Sequence, residues 1–363
     1  MIENKTIFIA HNWSDASVNQ QSKYLAYQLS EKNKVIFLSA KKNGFHEKQI
    51  NSNLIIYEWP GKRPVGFKDL LFCYRLHKKY KPDIGISHFA ANNIMLFVSW
   101  LMGVPNRLAY YHTTVQQYVA DTGKLGIKQK LNILIKRFFF NKATHFICPS
   151  SYSAKSAVSD YGINKKKVFV IPNALPDKNI RNVSNNQDIG FLGRLNKSKG
   201  VDILVRAFIL IAHKVPSAKL LIAGKGEEEQ ALKEMLLKNG LENRVVWLGQ
   251  VGYDKIFDFL SNLNCLIVPS RIDNLPTVVL EAFSCATPVI AARTGGIADM
   301  VEDDRNGFLF ENENEASLAE KMMLLLTNQH KRDQLAQQAQ QIFRDKFLID
   351  HYPNNLLSVI GKI

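Results

Sequence analysis

Two cationic side chains in the second half of the chain stand where they could bind a diphosphate. They are Arg194 and Lys199, in the segment Phe191-Leu-Gly-Arg-Leu-Asn-Lys-Ser-Lys-Gly200. Gly193 lets backbone approach a ligand closely, Arg194 offers a planar fork of donors, and Lys199 offers a point charge. A helix expected from Val201 adds the positive end of its dipole. The alternative is an ordinary strand-to-helix turn with two solvated bases.

Two carboxylates follow in the segment Val268-Pro-Ser-Arg-Ile-Asp-Asn-Leu-Pro-Thr-Val-Val-Leu-Glu-Ala-Phe283. Asp273, on a loop, could accept hydrogen bonds from sugar hydroxyls, and Glu281, on the next helix, could bridge the two hydroxyls of a ribose. Backbone amides between them would point at phosphates. The candidate donor-binding residues of this stretch are Asn274, Leu275, Pro276, Thr277 and Val278. The alternative is a polar loop that caps a helix starting near Pro276, with Asn274 as the cap.

Two glycine pairs also follow predicted strands. Gly224 and Gly226 fit a tight strand-to-helix turn at the same strand ends. They do not form a dinucleotide fingerprint, because no third glycine follows at the required spacing, and this argues against a nicotinamide oxidoreductase. Gly295-Gly296 would suit close packing against a sugar or against a facing domain.

The elements that carry these residues alternate between short apolar strands and longer helical stretches. The predicted strands are Thr6–Ala10, Val35–Ser39, Leu54–Glu58, Asp83–Ser87, Arg107–Tyr111, His145–Cys148, Val168–Ile171, Asp188–Leu192, Lys219–Ala223, Arg244–Leu248, Cys265–Val268, Pro288–Ala291 and Gly307–Phe310. Such alternation indicates parallel sheets covered by helices on both faces. We therefore expect an α/β protein with two Rossmann-like, doubly wound domains facing a cleft. The domains should span 1–175 and 187–342, and a C-terminal helix at about 343–363 could pack back on the first.

Charge is distributed unevenly between these halves. The net charge is +15, and nearly all of it arises in residues 1–175, which favours anionic partners such as acidic lipids or phosphorylated substrates. The stretch 124–142 reads as a basic amphipathic helix. Its apolar face comprises Ile127, Leu131, Leu134, Ile135 and Phe138. Such a helix could lie on an anionic membrane, or it could be a core helix with a solvated basic face.

The remaining composition predicts a cytoplasmic protein, bound at most to the inner membrane surface. No secretory signal opens the chain, and the longest apolar run, Ile94 to Val104, is too short to span a bilayer. The four cysteines form no CxxC pair and stand near no histidine cluster, which argues against zinc and against a disulfide framework. Basic charge without a recognised nucleic-acid motif gives little support for nucleic-acid binding.

Taken together, these segments resemble the retaining glycosyltransferases of family 4, whose fold is GT-B. The matching positions are Gly193-Arg194, Lys199-Gly200, Gly224 to Gly226, Val246 to Gly249, Pro269-Ser270, Asp273 to Glu281, Pro288-Val289, Gly295-Gly296 and Asn306-Gly307. The resemblance implies that Arg194 and Lys199 stabilise a leaving diphosphate. It implies that Glu281 holds the ribose, that Asp273 holds the donor sugar, and that the stretch ending at Val251 contacts the base.

In the first half the resemblance rests on His112, which matches a histidine that would hydrogen-bond the donor sugar. His11 and His88, also at strand ends, are weaker candidates. Two features depart from the family pattern. The family usually has Glu at the position of Asp273, and the loop His11 to Asn19 has no glycine.

The resemblance implies hexosyl or N-acetylhexosaminyl transfer from a nucleotide sugar, without a metal. The basic first half suggests a glycan or polyprenyl-diphosphate-linked acceptor, as in bacterial surface polysaccharide synthesis. The alternative is a sugar-nucleotide epimerase of the same fold.

Overall fold

A computed structural model of the chain describes residues 2–40, 46–124, 126–184 and 186–360. The chain divides into two compact units. Unit 1 comprises Met1–Val115, Leu125–Ala174 and Ile349–Ile363, and unit 2 comprises Gln116–Lys124 and Leu175–Leu348. Each unit contains one sheet covered by helices, so the prediction of two doubly wound α/β domains is confirmed.

Unit 1 is built on an eight-stranded sheet with the order β3-β4-β2-β1-β5-β6-β7-β8. Its strands are β1 Thr6–Ala10, β2 Lys34–Ser39, β3 Glu47–Gln49, β4 Leu54–Glu58, β5 Ile84–Ser87, β6 Asn106–Tyr110, β7 His145–Cys148 and β8 Val168–Val170. The helices in this part of the chain are α1 Val18–Ser30, α2 Phe67–Tyr80, α3 Asn92–Leu101, α4 Val115–Thr122, α5 Ile127–Phe140 and α6 Ser151–Tyr161. All strand pairs are parallel except β3 with β4. The central strands are buried along their length, as expected when both faces are covered.

Unit 2 is built on a six-stranded parallel sheet with the order β11-β10-β9-β12-β13-β14. Its strands are β9 Asp188–Leu192, β10 Lys219–Ala223, β11 Val245–Gly249, β12 Cys265–Val268, β13 Val289–Ala292 and β14 Phe308–Phe310. Its helices are α7 Val201–Ala212, α8 Glu229–Lys238, α9 Tyr253–Ser261, α10 Thr277–Ser284, α11 Glu315–Thr327 and α12 Gln329–Ile342. Strand β9 lies at the centre, so the order reverses there and the loops after β9, β10 and β12 meet at one sheet edge.

The C-terminal helix is shorter than the predicted 343–363. Residues Phe343–Phe347 form a π-helical turn directly after α12, and the helix itself, α13, is Tyr352–Ile360. It belongs to unit 1, where it packs on α1 and where Tyr352 hydrogen-bonds the hydroxyl of Tyr110. Residues 361–363 of the predicted helix lie outside the described residues.

Candidate active site

Close backbone packing fixes the loops that follow β9 and β10. A Cβ atom on Gly224 would lie 1.8 Å from the carbonyl oxygen of Gly193, and one on Gly226 would lie 2.1 Å from that of Leu195. The amide of Gly193 donates to the carbonyl of Ala223 at 2.9 Å. Gly224 and Gly226 are therefore required, because only glycine lets the loop after β10 pack this closely on the turn that carries Arg194.

The loop that carries Lys199 is held against the loop after β12. Gly200 has a φ of 64°, and a Cβ atom there would lie 2.1 Å from the carbonyl oxygen of Pro269. The amide of Arg271 donates to the carbonyl of Ser198 at 2.8 Å. These contacts bring two segments that are some 70 residues apart in sequence to the same edge of the sheet.

Lys199 and Asp273 form an ion pair at this edge, with the Lys199 ammonium donating to the Asp273 carboxylate. The Asp273 side chain is 8% exposed and that of Lys199 is 20% exposed, so the pair is largely shielded from water. The Gly295-Gly296 turn wraps the backbone of Asp273. A Cβ atom on Gly295 would lie 2.0 Å from the Asp273 carbonyl oxygen, which accepts a hydrogen bond from the Gly296 amide at 2.8 Å. Gly295-Gly296 thus packs on the loop of unit 2 that presents Asp273.

Glu281 is buried on α10. The residue is 3% exposed, and in the described part of the chain no hydrogen bond or ion pair reaches its side-chain oxygens. Burial raises the pKa of Glu281 to about 7, because a desolvated carboxylate without a partner favours its neutral form. Such a carboxylate can accept hydrogen bonds from two ligand hydroxyls, and these bonds would offset much of the free-energy cost of burying its charge.

The start of α10, about one turn before Glu281 along the helix, has no side-chain cap. The helix begins at Thr277 with Pro276 at its N-cap, so the alternative in which Asn274 caps the helix is wrong. Asn274 and Leu275 are buried, and Thr277 and Val278 are half-buried. An uncapped helix start is suited to an anion. Val251 lies in the short loop between β11 and α9, also half-buried.

Arg194 stands apart from the ion pair. Its side chain is 69% exposed, and its nearest carboxylate is that of Asp121, at 4.0 Å, on the segment of α4 that belongs to unit 2. The side-chain amide of Asn196 also donates a hydrogen bond to the Asp121 carboxylate, at 2.9 Å. The structure therefore joins Lys199 to Asp273, whereas no hydrogen bond or ion pair among the described residues connects Arg194 or Glu281 to them.

In unit 1, His112 belongs to a chain of three histidines. A hydrogen bond of 2.9 Å joins His112 Nε2 to His88 Nδ1, and the Ser22 hydroxyl lies 3.4 Å from His88 Nε2 and 2.8 Å from His11 Nδ1. The His11 and His88 rings stack with centroids 4.1 Å apart. Burial lowers the pKa of His112 to about 4 and holds the pKa values of His11 and His88 well below the usual range. All three are therefore neutral near pH 7.

The histidine chain follows from strand order. His11, His88 and His112 come just after β1, β5 and β6, which are neighbours in the sheet. Phe89 completes the group: its ring stacks on His112 with centroids 4.2 Å apart while remaining 52% exposed. Its φ of 49° is unusual for a bulky residue, and such strain is concentrated at functional sites.

Three negative findings apply to the described residues. No group of three or more His, Cys, Asp or Glu side chains is arranged to hold a metal ion. No helix has both the length and the apolar character that crossing a bilayer requires. The four cysteines, all buried, form no disulfide.

Comparison with known proteins finds glycosyltransferase family models in both halves of the chain. A family model described as "Glycosyl transferases group 1" matches residues 174–342, and "Glycosyltransferase Family 4" matches residues 18–178. The uncharacterized glycosyltransferase MJ1059 of Methanocaldococcus jannaschii is 28% identical over 66% of this chain and 63% of its own length. The phosphatidylinositol N-acetylglucosaminyltransferase gpi3 subunit of Schizosaccharomyces pombe is 29% identical over 58% of this chain and 45% of its own length. The chain thus spans less than two thirds of each of these relatives.

A solved structure shares the fold across nearly the whole chain. Anabaena HepE, crystallised in complex with UDP, superposes with a TM-score of 0.77 at 18% identity, covering 99% of this chain and 100% of that one. Because the two family models between them extend from residue 18 to residue 342 and describe glycosyltransferases in both halves, the chain is a glycosyltransferase of GT-B fold that resembles family 4.

Proposed function

We propose that this glycosyltransferase moves a sugar from a nucleotide-diphosphate donor to a glycan carried on a polyprenyl diphosphate, with retention at the anomeric carbon. The observation that carries the donor assignment is the Glu281 carboxylate, buried and unpartnered among the described residues on the helix that follows the Asp273 loop. A ribose has two adjacent hydroxyl groups, which can donate hydrogen bonds to the two oxygens of such a carboxylate. That HepE binds UDP supports a nucleotide donor.

The chemistry at the donor follows from charge. As the bond between sugar and phosphate breaks, negative charge develops on the diphosphate. Lys199, Arg194 and the uncapped start of α10 then stabilise it. Asp273 accepts hydrogen bonds from the donor sugar. In the free protein Lys199 and Asp273 form an ion pair, which holds both side chains in position. When the donor binds, Lys199 contacts its diphosphate and Asp273 contacts its sugar.

Retention requires that the acceptor hydroxyl attack from the face that the diphosphate leaves. In this proposal the hydroxyl loses its proton to an oxygen of the departing diphosphate, and no carboxylate acts as a nucleophile. His112 holds the donor sugar by a hydrogen bond, which a neutral imidazole can make as donor or acceptor.

The donor assignment is tested by incubating the protein with a panel of nucleotide-diphosphate sugars and a polyprenyl-diphosphate-linked glycan. One sugar nucleotide should be consumed only with acceptor present, and NMR of the product should show the anomeric configuration of the donor. EDTA should leave the rate unchanged, because Arg194 and Lys199 supply the positive charge. Interconversion of the nucleotide sugar without acceptor would contradict transfer, and an inverted anomer would contradict retention.

We also propose that the enzyme works at the anionic inner face of a membrane. The apolar face of α5 is not in the core: Ile127 is 87% exposed, Leu134 is 61% exposed and Leu131 is 57% exposed. Exposed lysines lie on the same helix, at Lys128 and Lys130. An exposed apolar face with flanking cations favours the surface of an anionic bilayer. The gpi3 relative is named for a lipid acceptor, which agrees with this location.

Vesicle flotation tests the membrane proposal. The protein should float with vesicles of phosphatidylcholine and phosphatidylglycerol at low salt and much less with phosphatidylcholine alone. Leu131→Ser with Leu134→Ser should weaken binding roughly tenfold or more, since burying a leucine contributes about 1.5–3 kcal/mol. Leu210→Ser with Leu237→Ser is the matched control, because these leucines are 51% and 63% exposed on unit 2. Equal losses in both variants would contradict docking through α5.

A further inference from the structure

Unit 1 contains two cavities whose linings share one loop. The first, which we call the basic cavity, has a volume of about 470 Å³ and is lined by His11, Trp59, Lys62, Arg63, Phe89 and their neighbours. The second, the apolar groove, has a volume of about 510 Å³ and is lined by Val65, Phe67, Ile94, Phe97, Phe138, Phe139 and their neighbours. In that loop, Arg63 and Pro64 line the basic cavity, and the next two residues, Val65 and Gly66, line the apolar groove. Near the start of α3, Ala91 lines the basic cavity and Asn93 lines the apolar groove.

The basic cavity presents positive charge, and no acidic residue is among the described residues that line it. Lys62 and Arg63 are exposed, and no hydrogen bond or ion pair engages either side chain in the described part of the chain. At the inner wall, the Nε2 atom of His11 is buried and has no hydrogen-bond partner among the described residues. An arginine and a lysine side by side are suited to a phosphate, one as a fork and the other as a point charge.

A buried carboxylate holds the loop between the cavities in shape. Asp69 is 4% exposed and accepts hydrogen bonds from the backbone amides of Gly61 at 2.9 Å, Val65 at 3.2 Å and Gly66 at 3.0 Å. Three amides bound to one carboxylate fix the path of a short loop. The loop can therefore keep its cations on one cavity and its apolar residues on the other.

The three helices that line the apolar groove, α2, α3 and α5, also carry exposed apolar side chains. Phe67 is 78% exposed at the start of α2, and Phe138 is 52% exposed near the end of α5. Helix α3 packs between these two helices. Further exposed apolar side chains on the same helices are Leu71, Tyr74, Trp100, Leu101, Leu131 and Leu134. An exposed apolar surface of this extent indicates a binding partner.

We propose that the two cavities together bind one lipid phosphate, the carrier of the acceptor glycan. Its phosphate or diphosphate lies at Lys62 and Arg63, its hydrocarbon chain fills the apolar groove, and its sugar lies toward His11 and the exposed ring of Phe89. An amphiphile with an anionic head satisfies both cavities, whereas a soluble sugar phosphate leaves the groove empty and a neutral lipid leaves the cations unpaired. This inference rests on the proposed function, since it names the acceptor site for that transfer.

The test measures binding to the protein by calorimetry, without any sugar donor. The probes are farnesyl diphosphate, inorganic diphosphate as the head alone, and farnesol as the chain alone. Farnesyl diphosphate should bind at least tenfold more tightly than either fragment. Lys62→Gln with Arg63→Gln should weaken farnesyl diphosphate and inorganic diphosphate about tenfold or more and spare farnesol. Phe67→Ser should weaken farnesyl diphosphate and farnesol and spare inorganic diphosphate.

The matched control removes two charges elsewhere on unit 1. Lys165→Gln with Lys166→Gln replaces two exposed lysines outside both cavities and should leave all three affinities unchanged. Inorganic diphosphate binding as tightly as farnesyl diphosphate would overturn the proposal in favour of a free anion. If the affinity for farnesyl diphosphate is unchanged in both the Lys62/Arg63 variant and the Phe67 variant, the ligand binds elsewhere, and this result would also overturn the proposal. Because no donor is present, failure here is distinct from failure of the transfer assay.

Discussion

Replacing Lys199 by methionine is expected to lower the transfer rate by about 10²–10³-fold, the usual effect of removing one group that stabilises developing negative charge. The same change should destabilise unit 2, because Asp273 would remain as a largely buried carboxylate without its ammonium partner. Breaking one side of a buried ion pair costs on the order of 3–5 kcal/mol. The rate is measured in the transfer assay and stability by urea unfolding.

A double-mutant cycle separates the chemical loss from the folding loss. Lys199→Met with Asp273→Asn removes both charges, so most of the lost stability should return while the activity stays low. Arg293→Met is the matched control for losing a cation, because Arg293 pairs with Asp303 at 2.7 Å with 55% of its side chain exposed. It should cost less than about 1 kcal/mol and leave the rate unchanged. Recovery of activity along with stability in the double variant would show that Lys199 is only structural.

Most strands of this fold were predictable because they are buried on both faces and have short, nearly continuous apolar sequences; the edge strands β8 and β11 are apolar in sequence although partly exposed. Each predicted strand is present, with ends shifted by at most one residue. Strand β3 escaped prediction for the opposite reason: Glu47–Gln49 is fully exposed and polar, and only its antiparallel pairing with β4 makes it a strand.

The site was predictable in its residue types but not in its contacts. Arg194, Lys199, Asp273 and Glu281 follow from motif chemistry, whereas the Lys199–Asp273 pair depends on β12 lying beside β9 although two strands intervene in sequence. The histidine chain shows the same limit. His11 and His88 could be placed at strand ends, but their contact follows from β1 pairing with β5, a long-range choice that local patterns do not encode.

Replacing Glu281 by glutamine is expected to remove a pH-dependent loss of stability and to weaken donor binding. The folded-state pKa, about 7, lies above the ordinary value of 4.5. The stabilising contribution of the protonated group is therefore complete below about pH 4.5 and is lost as the pH rises through 7. A shift of this size corresponds to about 3 kcal/mol. The unfolding free energy of the variant minus that of the wild type should therefore increase by up to this amount between pH 5 and pH 8, as measured by urea unfolding.

The control for this comparison is Glu227→Gln, which neutralises an exposed carboxylate in the loop after β10 and should give no pH-dependent difference. The ligand arm uses the nucleoside of the identified donor, whose lack of phosphate removes a competing titration. Ribose hydroxyls that donate to Glu281 favour its ionised form. The wild-type affinity for the nucleoside should therefore rise from pH 5 to pH 8, while that of Glu281→Gln should be weaker at pH 8 and nearly constant. A wild-type affinity that does not change with pH would mean that the ribose does not reach Glu281, and the donor assignment would lose its main support.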